Sequence, residues 1–341
     1  MDITILQGLW FILIGVLIAG YFILDGFDLG AGVLYPFIAK DDREKALVRR
    51  AVGPVWDGNE VWLLTAGGAL FAAFAPAYAA TFSGFYLAVM LVLFGLIARA
   101  ISLEFRHHDP TLGKVWDGCF FIGSLLPALL LGVALGNVIG GIELNTHGDY
   151  IGGFLALLDP FSLVCGLIGL SVMITLGASW LCVKVEPSEA LYQRAQRVRV
   201  YAVLVAIVLL VLASILYLTR DGVLTDPYGG RIAIACAVIA LIALIGALAL
   251  FKKGTDLPAH IVLSITCLAL VGVAAGSIFP NIVPATDPAL SLSIAASASS
   301  EYALGAMTII TCIGLPLVLI YHVIIYRTFA GKITNEDLDN Y

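Results

Sequence analysis

Long stretches without a charged residue, separated by short segments that collect the charge, set the pattern of this 341-residue chain. A helix needs about 20 apolar residues to cross a hydrocarbon core of ~30 Å. The uncharged run from Val61 to Ala98 is 38 residues long, nearly two crossings, so the segment Ala75-Pro76-Ala77-Tyr78 is read as a hairpin. The second span must then begin near Pro54, which draws Asp57 and Glu60 towards the membrane. In all, the pattern predicts nine spans, over residues 8–37, 54–75, 78–101, 118–142, 160–183, 200–219, 232–251, 257–280 and 302–326. Pro127 and Pro316 fall inside spans and are expected to kink them rather than end them.

Composition agrees: 61% of residues are hydrophobic and 12% charged, with a mean hydropathy of +1.02. A soluble domain is about half apolar and about a quarter charged. Lipid is therefore the expected solvent for a single all-α integral membrane domain. The N-terminal segment lacks a basic leader region and a small-residue cleavage site, so it is expected to remain as the first span. Sixteen of the eighteen Lys and Arg residues fall on one side of the alternating loops, and only Arg220 and Arg231 on the other. Positive charge accumulates on the cytoplasmic side. That orients a multi-pass membrane protein, N-terminus outside and C-terminus cytoplasmic. The acidic tail from Gly331 to Tyr341 is expected to move freely.

Candidate chemistry lies in the acids. A carboxyl inside a membrane helix is costly and defaults to a functional hypothesis. Asp25 and Asp28 share a helix face in GYFILDGFDLGAG. Asp57, Asn59 and Glu60 open the second span, and Glu104 closes the third. Asp25, Asp57 and Glu104 are the functional candidates; Asp28, Asn59 and Glu60 are structural or secondary polar candidates. All lie towards the cytoplasmic side of the predicted topology.

Other chemistries find less support. The five histidines sit in loops or near span ends, without a partner at ligand spacing, and the six cysteines lie in apolar runs without a CxxC pair. No metal or cofactor ligand is expected from this chain. Trp62 and Tyr326 are read with the aromatics of the membrane interfaces, and GTDLPAH as a turn. No phosphate-binding loop, dinucleotide fingerprint, nucleophile elbow or basic nucleic-acid stripe occurs.

The motifs GYFILDGFDLGAGVL, PVWDGNEVWLLTAGGALFAAFAPAYA and FSGFYLAVMLVL closely resemble subunit II of cytochrome bd-type quinol oxidases. So do WDGCFFIGSLLPALLLGVALGN, LDPFSLVCGLIGLSVMITLGASWL and the terminal GKITNEDL, so the resemblance runs through nearly the whole chain. It implies two four-helix bundles and a peripheral helix. It also implies a complex that oxidises quinol, its substrate, and reduces dioxygen to water with cytoplasmic protons. Haems b and d would belong to the partner, subunit I, and Asp25, Asp57 and Glu104 match the family's proton-delivery acids by position in motif. Small accessory subunits, membrane lipids and a structural quinone are further candidate partners, although the short outer loop between spans six and seven offers accessory subunits little. The competing reading is a proton-coupled secondary transporter, which the gathering of the acids on one side disfavours.

Overall fold

The structure is a computed structural model that describes residues 3–109, 111–219 and 229–339; Arg220 and the last two residues of the tail lie outside them. Helix α1 spans Ile5–Ile38 and opens with a capping box in which Thr4 and Gln7 satisfy each other's backbone N–H. It continues into a short amphipathic helix, α2 (Asp42–Val52), capped by Asp41. Then come α3 (Trp56–Ala73), α4 (Ala75–Gly84), α5 (Tyr86–His108), α6 (Gly113–Gly140) and α7 (Pro160–Lys184). The chain ends with α8 (Ala190–Leu218), α9 (Gly229–Lys253), α10 (Asp256–Ile278), α11 (Ile294–Ser297), α12 (Glu301–Thr328) and α13 (Asn335–Asp339).

Among the described residues, eight helices are long and apolar enough to cross a membrane: α1, α5 to α10, and α12. The chain is thus an all-α polytopic membrane protein, apart from a small antiparallel ribbon of β1 (Asn281–Val283) and β2 (Leu292–Ser293) before α11. Helix α3 occupies the position of the predicted second span but has only 18 residues, and it carries Asp57 and Glu60.

The third span differs from expectation. The hairpin predicted at residues 75–78 is instead a separate ten-residue helix, α4, with Pro76 in its first turn, where a missing N–H costs nothing. Phe74 and Phe85, outside helical geometry, bracket it. The next long helix therefore begins at Tyr86 rather than at residue 78 and runs on to His108. The extension from residue 101 to His108 places Arg99 well inside the helix, about 14 Å from its end at ~1.5 Å per residue.

Packing divides the long helices. Helices α7, α8, α9 and α10 pack in sequence, and α10 returns to α7. Helix α1 packs on α3 and α6, and α6 on α5; α1 and α6 also meet α7, which joins the two groups. The α1–α7 crossing is backbone on backbone: a Cβ at Gly30 would lie 1.8 Å from the Met173 carbonyl oxygen, and one at Gly177 2.3 Å from the Ala31 nitrogen. Only glycine permits that approach. Helix α12 stands apart, with Leu304 its one buried residue.

The tail is not free up to residue 339. Ile333 N donates to Lys184 O at 2.8 Å, Asp337 accepts from Thr334, and α13 packs on α2. An acidic composition suggested mobility; Lys332 and the N–H of Ile333 supply the donors that anchor the segment to the last carbonyls of α7.

Candidate functional site

The acids of α1 and α3 converge on one cation. Arg99 of α5 is fully buried; its Nη1 donates to Asp25 Oδ1 at 2.8 Å and its Nη2 to Glu60 Oε2 at 3.1 Å. Helix α6 can seat α5 here because Gly123 faces Arg99: a Cβ at Gly123 would lie 2.7 Å from the Arg99 backbone nitrogen.

One turn along α1, Asp28 is also buried, and its Oδ2 accepts from Asn59 Nδ2 at 2.7 Å. Asn59 Nδ2 donates as well to Leu24 O, and Asn59 Oδ1 accepts from Tyr326 OH at 3.0 Å. The amide thereby ties α1, α3 and α12 together. On the next turn of α3, Trp62 Nε1 donates to His322 Nε2 at 3.2 Å, while His322 Nδ1 lies 2.9 Å from Val318 O. With Nε2 accepting, the ring proton belongs on Nδ1, facing that carbonyl.

Asp25, fully buried, and Glu60, partly buried, share a single guanidinium with the buried Asp28 one turn away, and Asp25 Oδ2 and Asp28 Oδ1 are left over from the hydrogen bonds described. An uncompensated charge at this depth is expensive. The site is therefore suited to holding a proton between its acids. Glu60, with a quarter of its side chain exposed, joins the cluster to the surface of α3.

Of the predicted acids, the structure brings Asp25, Asp28, Asn59 and Glu60 together. It leaves Asp57 and Glu104 exposed, on the first turn of α3 and near the end of α5. Asp57 lies three positions before Glu60 on the same helix, so the two share a face. Glu104 lies five positions beyond Arg99 and makes no contact with the cluster.

Sequence reasoning missed Arg99, which it counted as a loop cation, and Tyr326, which it read as an interfacial aromatic. The available signal was charge balance: Arg99, in LFGLIARAISLEF, is the cation best placed inside an apolar run to neutralise the acids. A second buried pair went unread too. Arg199 Nη1 donates to Asp256 Oδ1 at 2.7 Å, and Tyr192 OH donates to Asp256 Oδ2. Asp256, placed in a turn by sequence, starts α10.

Two of the histidines near span ends are packed inside the protein. Both ring nitrogens of His322 are engaged, and His260 packs edge-on against Phe27 and tilted against Trp180. No group of three His, Cys, Asp or Glu is arranged for a metal among the described residues.

Comparison with known proteins covers the chain almost end to end. It is 32% identical to the cytochrome bd-I ubiquinol oxidase subunit 2 of Escherichia coli, covering 99% of this chain and 98% of that one. It is 30% identical to the cytochrome bd ubiquinol oxidase subunit 2 of Bacillus subtilis, over 97% and 98% of the two chains. The structure of bd oxidase from Geobacillus thermodenitrificans shares the fold, with a TM-score of 0.78 and 17% identity over 96% of this chain and 99% of that one. The family described as cytochrome bd terminal oxidase subunit II matches residues 6–329, and the chain belongs to that family.

Proposed function

We propose that this chain is the haem-free subunit of a quinol-oxidising, dioxygen-reducing membrane complex, and that it passes cytoplasmic protons towards the partner that carries the haems. In this reading it crosses the membrane nine times, α3 being the second crossing, with its N-terminus outside and its C-terminus cytoplasmic. Helices α1, α3, α5 and α6 form one bundle and α7 to α10 the other, with α12 peripheral. The lysine and arginine asymmetry supports the orientation, and the packing of α7 to α10 into a ring supports the grouping.

The observation that carries the proton reading is the buried Asp25–Arg99–Glu60 constellation with Asp28 beside it. Reducing dioxygen to water consumes protons, which cannot cross hydrocarbon without polar relays. Asp57 at the start of α3 is placed to receive a proton, Glu60 to pass it inward, and Asp25 to hold it beside a cation that compensates the remaining charge. Glu104 forms a second acidic position on α5. Both Asp57 and Glu104 lie on helices whose outward faces are large and apolar, with Leu64 78% and Phe94 58% exposed. The haem-bearing subunit I would cover those faces and receive the protons there. The similarity to a ubiquinol oxidase subunit of Escherichia coli supports a quinol as the class of reductant.

The test is proton uptake linked to oxygen consumption in the intact complex. Asp25→Asn, Asp57→Asn and Glu104→Gln are each expected to slow it at normal haem content. Full turnover in all three would leave the chain as a scaffold only.

A further inference from the structure

We propose that Tyr21 is the residue through which protons leave this subunit: its hydroxyl takes them from Asp25 and hands them to an acceptor in the haem-bearing partner. The inference rests on the proton reading above and adds the step that follows Asp25.

Tyr21 precedes Asp25 by one turn of α1, so the two side chains share a face, and Tyr21 is fully buried. The charged groups that act on its hydroxyl include Asp25, Arg99 and Glu60, and Asp25 is the one within hydrogen-bonding reach. That contact falls short of an aligned hydrogen bond, so the hydroxyl is free to turn. The ring sits in one cluster with Trp62 of α3 and with Val92 and Leu96 of α5. Trp62 presses on α1 there, since a Cβ at Gly20 would be 2.2 Å from its ring. Helices α3 and α5 scarcely touch each other, so this cluster lies along the seam between them. The apolar faces assigned to the partner subunit belong to these same two helices.

Beyond Asp25 the polar groups run out at Tyr21. Among the described residues on α1 before Asp25, on α3 after Asn59 and on α5 before Arg99, the buried side chains are apolar apart from Tyr21, Trp10 and Trp62. Both indoles already donate to α12, Trp10 to Leu304 O and Trp62 to His322. On α6, Ser124 sits against Gly32, on the far side of Asp25 from Tyr21, and Asn137 donates to the Val133 and Leu157 carbonyls. A proton does not cross an apolar seam unaided, and the Tyr21 hydroxyl is the last uncommitted polar hydrogen that these described helices supply. A hydroxyl both donates and accepts, as a relay must. Asp25, loaded through Glu60, gives its proton to Tyr21 Oη as the hydroxyl gives its own to a water or acceptor group of the partner. One proton advances, the phenol is restored, and the Asp25 carboxylate is left beside Arg99 to be loaded again.

The experiment uses the intact complex and compares Tyr21→Phe, Asp25→Asn and the double variant. It reads proton uptake linked to oxygen consumption, haem spectra and thermal unfolding. Phenylalanine keeps the ring in its cluster and removes only the hydroxyl, so haem content and melting temperature should be unchanged. Uptake is expected to slow by about tenfold or more. The double variant should be no slower than Asp25→Asn alone, because losses at two residues in series on one route do not multiply. Tyr21→Phe at the full rate while Asp25→Asn is slow overturns the exit role and leaves the proton reading standing. Both at the full rate overturn both. Losses that multiply in the double variant place Tyr21 off the route and overturn the proposal. Slowing that comes with lost haem or a lower melting temperature does so too, since the hydroxyl would then serve packing.

Discussion

Arg99 Nη1 donates to Asp25 Oδ1 at 2.8 Å with neither side chain exposed, although the two residues are 74 positions apart on α5 and α1. Removing one partner of a buried pair strands the other, at a cost of about 3–5 kcal/mol. Arg99→Gln is therefore expected to lower the thermal stability of the complex sharply. The double variant Arg99→Gln with Asp25→Asn should lose less than the sum of the single losses, because the fully buried Asp25 charge is no longer stranded, and only the partly exposed Glu60 loses its cation. Additive losses, measured by thermal unfolding, would show that the pair is not coupled.

The acids separate by role. Asp25→Asn, Asp57→Asn and Glu104→Gln keep volume and hydrogen bonding but cannot release a proton, so proton uptake should fall by about tenfold or more. Glu104→Asp should be the mildest change. Asp28→Asn is the contrast, since its amide oxygen can still accept from Asn59, and assembly should persist. Stopped-flow proton uptake, with haem spectra as the assembly control, distinguishes these outcomes.

Helix α12 is held by polar contacts more than by packing. Tyr326→Phe removes the donor to Asn59 Oδ1, leaving a mostly enclosed acceptor unpaired at a cost of about 1–3 kcal/mol. Faster hydrogen exchange confined to α12 is the expected result. His322→Ala should loosen the same helix through loss of the Trp62 contact while every haem absorption band persists.

The α1–α7 crossing tolerates no side chain at Gly30. A Cβ 1.8 Å from the Met173 carbonyl oxygen forces two backbones apart, so Gly30→Ala should destabilise the chain by at least about 1–3 kcal/mol. Gly68→Ala, where a Cβ meets nothing within 4 Å, is the control and should leave the melting temperature unchanged.

Acid should release the tail. Thr334 donates to the Asp337 carboxylate from its backbone and its hydroxyl, and with Arg50 nearby these bonds hold the carboxyl below its usual range. A carboxyl depressed on folding stabilises the docked tail above its unfolded value of about 3.9, and that contribution is lost as pH falls through the lower, docked value. Protease cleavage near residue 334 should therefore rise only below about pH 4, and Asp337→Asn should raise it at neutral pH as well.

The sequence alone determined the solvent, the helical class and the family, because apolar run length and charge asymmetry are local properties and the motifs around Asp25 and Trp56 are contiguous. It also singled out Asp25, Asp28, Asn59 and Glu60, since acids in an apolar run are conspicuous. Only the tertiary structure decided their partners. Arg99 looked like a loop cation because the predicted span ended at residue 101, whereas α5 runs on to His108 and leaves the guanidinium between helices. Tyr326 and Asn59 are 267 positions apart and carry no shared local pattern. The tail's acidity likewise gave no sign that Lys184 and Lys332 would cap each other's helices. Run length and motif are written along the chain, whereas charge compensation and capping arise between distant segments and exist only once the helices have packed.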